Sequence, residues 1–148
     1  MTTKLISSGE SILKTFYSQQ GEDYYIFKNL INQPRLDGTY LELGAWDGIV
    51  YANTKFFEDE LNFKGILIEP IPEIFTLLTS NRPKNVCYNT AVKKTRGKIR
   101  FTGNRPTAGI TETISNTMLE ANHGDSKEYE VITTPLSSLL ADASCEYL

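Results

Sequence analysis

The sequence predicts an α/β protein built on a doubly wound, mostly parallel sheet. Helical and strand patterns alternate in the order α-β-α-β-α-β up to Val92. The segment 65–69 (GILIE) is apolar on both faces, which is typical of a strand in a parallel sheet covered on both sides. Because crossovers between parallel strands are right-handed, this alternation favours a doubly wound sheet.

Local patterns predict each element in turn. Apolar residues spaced three and four apart predict a helix from Gly21, with Ser18 as its expected cap. We expect residues 1–16 to form an N-terminal arm or short leading helix, and 145–148 to begin a further strand. The elements between them are strand 39–44, helix 53–61, strand 65–69, helix 73–80, and strands 86–92, 98–102 and 130–134, then helix 136–140.

Composition excludes several classes of function. The 148 residues fit one domain, and the net charge of -3 argues against a nucleic-acid partner. The basic cluster in 93–100 is more simply a solvated hairpin. Cys87 and Cys145 are too few for a zinc site or a disulfide framework, so we expect no metal. With no signal peptide and no long apolar run, the sequence predicts a cytoplasmic protein without a membrane partner.

Candidate binding residues follow the first two strands. The turn 42–48 (ELGAWDG) places glycines at a strand end, where a ligand can approach the backbone closely. It lacks the G-x-G-x-x-G fingerprint of dinucleotide sites. Glu69 ends the second strand, where a carboxylate can accept hydrogen bonds from both hydroxyls of a ribose. The alternative for Glu69 is a solvated carboxylate.

Seven short motifs, in this order, resemble those of the FkbM-type methyltransferases. They are 17–23 (YSQQGED), 40–48 (YLELGAWDG), 52–54 (ANT), 65–72 (GILIEPIP), 81–83 (NRP), 89–92 (NTAV) and 131–140 (VITTPLSSLL). The resemblance covers residues 17–148 as one domain. It implies a Rossmann-like class I methyltransferase fold with S-adenosylmethionine as the methyl donor. It also implies methylation of a hydroxyl on a sugar, a glycan or another small molecule.

The same resemblance implies which residues contact the donor. At the methionine end it places Gln19, Glu42, Gly44, Ala45, Gly48, Asn53 and Thr54. At the adenosine end it places Glu69 against the ribose and Ile71, Asn89 and Ala91 around the adenine. No catalytic residue is assigned. The lone His123 lies in the polar segment 103–128, where a solvated side chain is the simpler interpretation, and the acidity of Asp47 suits binding better than proton abstraction.

The family pattern continues past residue 148, so the sequence predicts a fold that is incomplete at its C-terminal side. We expect strand 39–44 to lie at a sheet edge, covered by a second copy of the chain or by the rest of a longer product. This leaves a second hypothesis open: a truncated, non-catalytic module that binds S-adenosylmethionine or a protein partner. A nucleotide-dependent oxidoreductase is disfavoured because the dinucleotide fingerprint is missing.

Overall fold

A computed structural model of the protein describes residues 2–7, 10–31, 38–103, 106–115, 117 and 127–147, with side chains from 15 to 143. It is a mixed α/β protein. Its elements are β1 (Thr2–Ser7), β2 (Glu10–Thr15), α1 (Glu22–Asn29), β3 (Thr39–Leu43), α2 (Lys55–Leu61), β4 (Lys64–Ile68), α3 (Pro72–Asn81), β5 (Val86–Tyr88), β6 (Ala91–Val92), β7 (Gly97–Thr102), β8 (Gly109–Ile110), β9 (Glu128–Thr134) and α4 (Leu136–Tyr147).

The central sheet is parallel and has the order β3-β4-β5. Leu41 pairs with Ile66, and Ile66 pairs with Val86. Because all three strands run the same way, their carboxyl ends lie at one edge of the sheet. Among the described residues no strand pairs with the other side of β3, which makes β3 an edge strand, as the sequence predicts.

Helices cover both faces of β4. Ile66 and Ile68 point to one face and pack with Leu139 and Ala143 of α4. Leu67 points to the opposite face, where it packs with Leu78 of α3. This two-sided burial explains why the three successive residues 66–68 are all apolar, and it confirms the interpretation of this segment as a covered parallel strand.

The N-terminal segment is not a helix. β1 and β2 form an antiparallel hairpin, so the alternative of a leading helix in 1–16 is wrong. After the hairpin the chain enters an aromatic cluster, in which Phe16 stacks on Phe56 with ring centroids 4.4 Å apart and Phe27 meets Phe56 edge-on at 5.0 Å. The cluster joins α1 to α2 and so fixes the segment before β3 against the main sheet.

A second sheet has the order β6-β9-β7-β8. β6 is parallel to β9, and the other pairs are antiparallel. The predicted single strand 86–92 is therefore wrong, because the chain changes sheets at Asn89 and Thr90. The Thr90 hydroxyl donates to the Ile132 carbonyl at 2.9 Å and holds the new position. The two-residue β8 was not predicted.

The last helix is longer than its sequence pattern indicates. Predicted for 136–140, α4 extends to Tyr147, so the strand expected to begin at Cys145 is wrong for 145–147, and Leu148 lies outside the described residues. Alternation of apolar residues is too short there to distinguish the two structures. In the described part of the chain, no helix has the length and hydropathy needed to cross a membrane.

Candidate functional site

The glycine turn after β3 folds over the end of β4. The backbone N–H groups of Gly44 and Ala45 both donate to the Ile68 carbonyl, at 2.9 and 3.0 Å. Gly44 has φ +71°, a left-handed conformation that glycine adopts without steric cost. A Cβ placed on Gly44 would meet no atom within 4 Å, so its open side faces unfilled space.

Glu69 is buried beside this turn. Its side chain sits in a residue only 3% exposed, and its carboxylate accepts the Trp46 N–H at 3.0 Å and the Ile71 N–H at 2.8 Å. The alternative of a solvated carboxylate is therefore wrong. Burial raises the pKa of Glu69, and the two backbone hydrogen bonds oppose that rise. Each oxygen has a further lone pair that can accept a ligand hydroxyl.

Glu42 is a second buried carboxylate, one strand away. It accepts the Asn53 N–H at 2.8 Å and the Thr54 hydroxyl at 2.5 Å, so these three predicted site residues do lie together. Burial raises the pKa of Glu42, and the bond from Thr54 leads the interactions that lower it. The contacts tie β3 to the start of α2.

A cavity of about 60 Å³ is bordered by both the glycine turn and Glu69. Its lining residues are Gly44, Trp46, Glu69, Pro70, Ile71, Phe101, Pro106 and Ala108. The two predicted halves of the site thus meet at one end of the sheet, where the Trp46 N–H contacts Glu69 directly and the cavity opens beside them. A drug-sized ligand occupies a pocket of about 300–1,000 Å³, so a nucleoside fits only if the wall from the β7–β8 side moves outward.

The adenosine-side residues differ in position. Ile71 lines the cavity, whereas Ala91 is buried in β6 opposite Thr133. Asn89 donates through its amide to the carbonyls of Glu69 and Pro70, at 2.8 and 3.1 Å. It does not line the small cavity but borders a larger one, of about 620 Å³, where the two sheets separate. Asn89 therefore fixes the backbone at Glu69, and its contact with a ligand stays a prediction.

Two predicted donor contacts face α3 instead of the cavity. A Cβ on Gly48 would lie 2.6 Å from Cγ of Arg82 and 2.7 Å from Cδ1 of Leu78. Ala45 is buried in the cluster that contains Leu67 and Leu78. The glycine at 48 is needed because α3 approaches the turn too closely for a side chain.

The YSQQGED motif builds a local scaffold. The buried Asp23 carboxylate accepts the Tyr17 N–H at 2.7 Å and the Ser18 hydroxyl at 2.5 Å. The N-cap of α1 is Gly21 and has no side-chain cap, so the prediction of Ser18 as the cap is wrong, although the Ser18 hydroxyl accepts the Asp23 N–H at 3.3 Å. Ser18 also forms an isolated parallel β-bridge with Tyr51, which lies after the glycine turn. Gln19 is the next residue and its side chain is exposed.

The candidates for a general base are not strengthened. One oxygen of Asp47 accepts the N–H groups of Ile49 and Val50, at 2.9 and 2.8 Å, which gives Asp47 a turn-forming role. His123 lies outside the described residues.

Sequence reasoning missed Arg82, whose fully buried guanidinium lies behind the turn. The available signal is the Asn-Arg-Pro motif at 81–83, to which the sequence pattern assigns no role.

Replacing Gly44 with alanine tests whether the turn admits a ligand. The left-handed φ should cost about 1–2 kcal/mol of stability, and a Cβ in the open space should weaken donor binding about tenfold. Gly21→Ala is the matched control, because Gly21 has φ +85° and equally open surroundings away from the cavity. Chemical denaturation and calorimetry measure both effects. Equal loss of affinity in the two variants would mean that backbone strain alone is responsible.

In comparisons with models of protein families, with curated proteins and with solved structures, the chain shows no significant match. The motif resemblance therefore stays a prediction.

Proposed function

We propose that the chain binds S-adenosylmethionine between the glycine turn and Glu69, as the donor-binding part of a methyltransferase with a Rossmann-like class I fold. The observation that carries the proposal is the buried Glu69 carboxylate, which lies at the end of β4 and is held by the Trp46 N–H next to Gly44. A carboxylate in this place suits the two hydroxyls of a ribose.

The charge of the site favours this donor over a dinucleotide. Glu42 and Glu69 are both buried at the ends of neighbouring strands, and no cationic side chain is among the described residues that line the cavity. S-adenosylmethionine carries a sulfonium, an ammonium and a single carboxylate, so its net positive charge suits a site that contains buried carboxylates. A pyrophosphate would instead meet like charge without a compensating cation.

The methyl acceptor we propose is a hydroxyl of a sugar, a glycan or another small molecule. This part rests on the motif resemblance. The bound donor supplies an electrophilic methyl group on its sulfonium. The chain's own contribution is to hold the donor through Glu69 and the turn, so that much of the rate enhancement comes from orientation.

A donor-binding module without catalysis is the second candidate. Of the described residues that line the cavity, Glu69 alone can exchange a proton, and the proposed donor site already uses it for the ribose hydroxyls. A hydroxyl acceptor requires a base within hydrogen-bond reach. This observation favours binding over transfer for the part of the chain that is described.

Calorimetry with S-adenosylmethionine, S-adenosylhomocysteine and NAD tests the donor. We expect the two sulfur ligands to bind at one site per chain and NAD not to bind. Binding of NAD alone would overturn the proposal. Transfer of a tritiated methyl group to a panel of hydroxyl-bearing glycans then separates the two candidates, because a non-catalytic module binds the donor and labels no acceptor.

A further inference from the structure

Arg82 is a fully buried charged side chain, with 0% of the residue exposed. It follows α3, and its Nε pairs with the Glu58 carboxylate on α2. Its Nη2 donates to the Tyr40 hydroxyl at 2.6 Å. That hydroxyl in turn donates to the Asn85 amide oxygen at 2.6 Å. A buried arginine without such partners would be too costly to retain.

Two further contacts of the guanidinium lead to the donor-binding edge. Its Nη1 donates to the Gly48 carbonyl at 2.9 Å, at the end of the glycine turn. Its Nη2 also lies 3.3 Å from the Thr54 hydroxyl oxygen, and Thr54 donates to Glu42 at 2.5 Å. One planar group thus contacts the loop after β3 and, through Thr54, the buried carboxylate of β3.

The ion pair with Glu58 alone does not explain this arrangement. A lysine ammonium could neutralise Glu58, but it is a single point charge and cannot hold a carbonyl, a phenol and a carboxylate in fixed directions. The close approach of Cγ to Gly48, which excludes any side chain at 48, shows that the turn and the arginine stem are fitted to each other.

We propose that Arg82 is a positioning residue of the donor site, which sets the glycine turn through the Gly48 carbonyl and the Glu42 carboxylate through Thr54. It acts through these residues and does not line the cavity. This inference rests on the proposed function, because donor binding is the property that Arg82 is inferred to support.

The test compares Arg82→Lys and Arg82→Met with the exposed control Arg100→Met, because Arg100 borders neither of the two cavities near Glu69 and Asn89. We expect the affinity for S-adenosylhomocysteine to fall about tenfold or more in both Arg82 variants that remain folded at the measuring temperature, and to stay unchanged in the control. Lysine should restore thermal stability better than methionine does, because it can still pair with Glu58, yet it should not restore affinity. Recovery of thermal stability without recovery of affinity in Arg82→Lys would show that Arg82 positions the site and does more than neutralise Glu58.

The pH dependence of donor affinity distinguishes an effect on Glu42 from a general loosening of the fold. Burial raises the pKa of Glu42 and the Arg82 guanidinium opposes the rise. Glu58 and Tyr40 are the other titratable groups of the network. In Arg82→Met the pH at which donor affinity is half lost should therefore move upward. Lysine keeps the charge, so Arg82→Lys should shift this pH less.

The fluorescence of Trp46, the single tryptophan of the chain, gives a second test that does not require donor binding. Because it lies in the turn, its emission and quenching by acrylamide should change in the ligand-free Arg82 variants and not in Arg100→Met. If the wild-type chain binds no donor, the proposed function fails, but the tryptophan signal still reports on positioning. Unchanged affinity and unchanged emission in Arg82→Lys would overturn the inference, as would failure of both Arg82 variants to fold.

Discussion

Glu69→Gln is expected to weaken the binding of S-adenosylhomocysteine about 100-fold or more. The substitution keeps the shape of the side chain but removes the charge that would accept two ribose hydroxyls. Hydrogen bonds to a charged partner contribute about 1.5–3 kcal/mol each, so the loss of two is equivalent to a factor of at least 100. Isothermal titration of the wild-type and variant chains measures the change directly.

The control is Glu73→Gln, four positions along the chain. Glu73 lies in the first turn of α3, is exposed and pairs with Lys127. Glu73 does not line the cavity, so the Glu73→Gln variant should bind S-adenosylhomocysteine with the affinity of the wild type. Circular dichroism and thermal unfolding must show that Glu69→Gln still folds, because the wild-type carboxylate also holds the N–H groups of Trp46 and Ile71.

A ligand analogue sharpens the assignment to the ribose. The 2′-deoxy form of S-adenosylhomocysteine should bind the wild type more weakly, whereas Glu69→Gln should discriminate much less between the two ligands. Non-additivity of this kind is the signature of a direct contact. If the variant lost affinity but kept full discrimination, Glu69 would act through the backbone of the turn and the ribose assignment would be wrong.

The meeting of Gly44 and Glu69 could be predicted from sequence because it follows from topology alone. Two apolar strands of a parallel sheet end at the same edge, so residues at their carboxyl ends are neighbours whatever the side chains do. The motif resemblance placed Glu42, Asn53 and Thr54 at the methionine end of the donor, but it did not predict that they hydrogen-bond to one another.

Other features could not be predicted because they depend on contacts distant in sequence. The change of sheet at Asn89 is held by carbonyls of Glu69 and Pro70, about twenty residues earlier in the chain. The requirement for glycine at 48 depends on the close approach of Arg82, which follows a later helix. Neither partner leaves a periodic pattern, so hydrophobic spacing alone is uninformative at these positions.

The affinity for the donor should fall steeply on acidification, because both site carboxylates start from a raised pKa. Burial raises the pKa of Glu42 and of Glu69 above the ordinary 4.5. Donor binding requires the ionised forms, so affinity should increase as pH rises through the raised values and then level off. Below them each carboxylate should cost about a factor of ten per pH unit.

The stability of the ligand-free chain should change in the opposite direction. A carboxyl whose folded pKa is raised binds its proton more tightly in the folded state. Its stabilising contribution is therefore complete below pH 4.5 and is lost as pH rises through the folded value. Acidification within this window should strengthen the fold against urea while it weakens donor binding, a combination that simple acid unfolding cannot produce.

Titration calorimetry across this window, in two buffers of different ionisation enthalpy, counts the protons released when the donor binds. We expect a release that approaches one proton for each carboxylate as the pH falls below its raised pKa, and a release smaller by one in Glu69→Gln. In the same pH range, the slope of log affinity against pH should also be smaller by one in Glu69→Gln than in the wild type. Affinity that is independent of pH throughout the window would mean that neither carboxylate contacts a group that needs its charge, and Glu69 would then have to bind the ribose as a neutral acid.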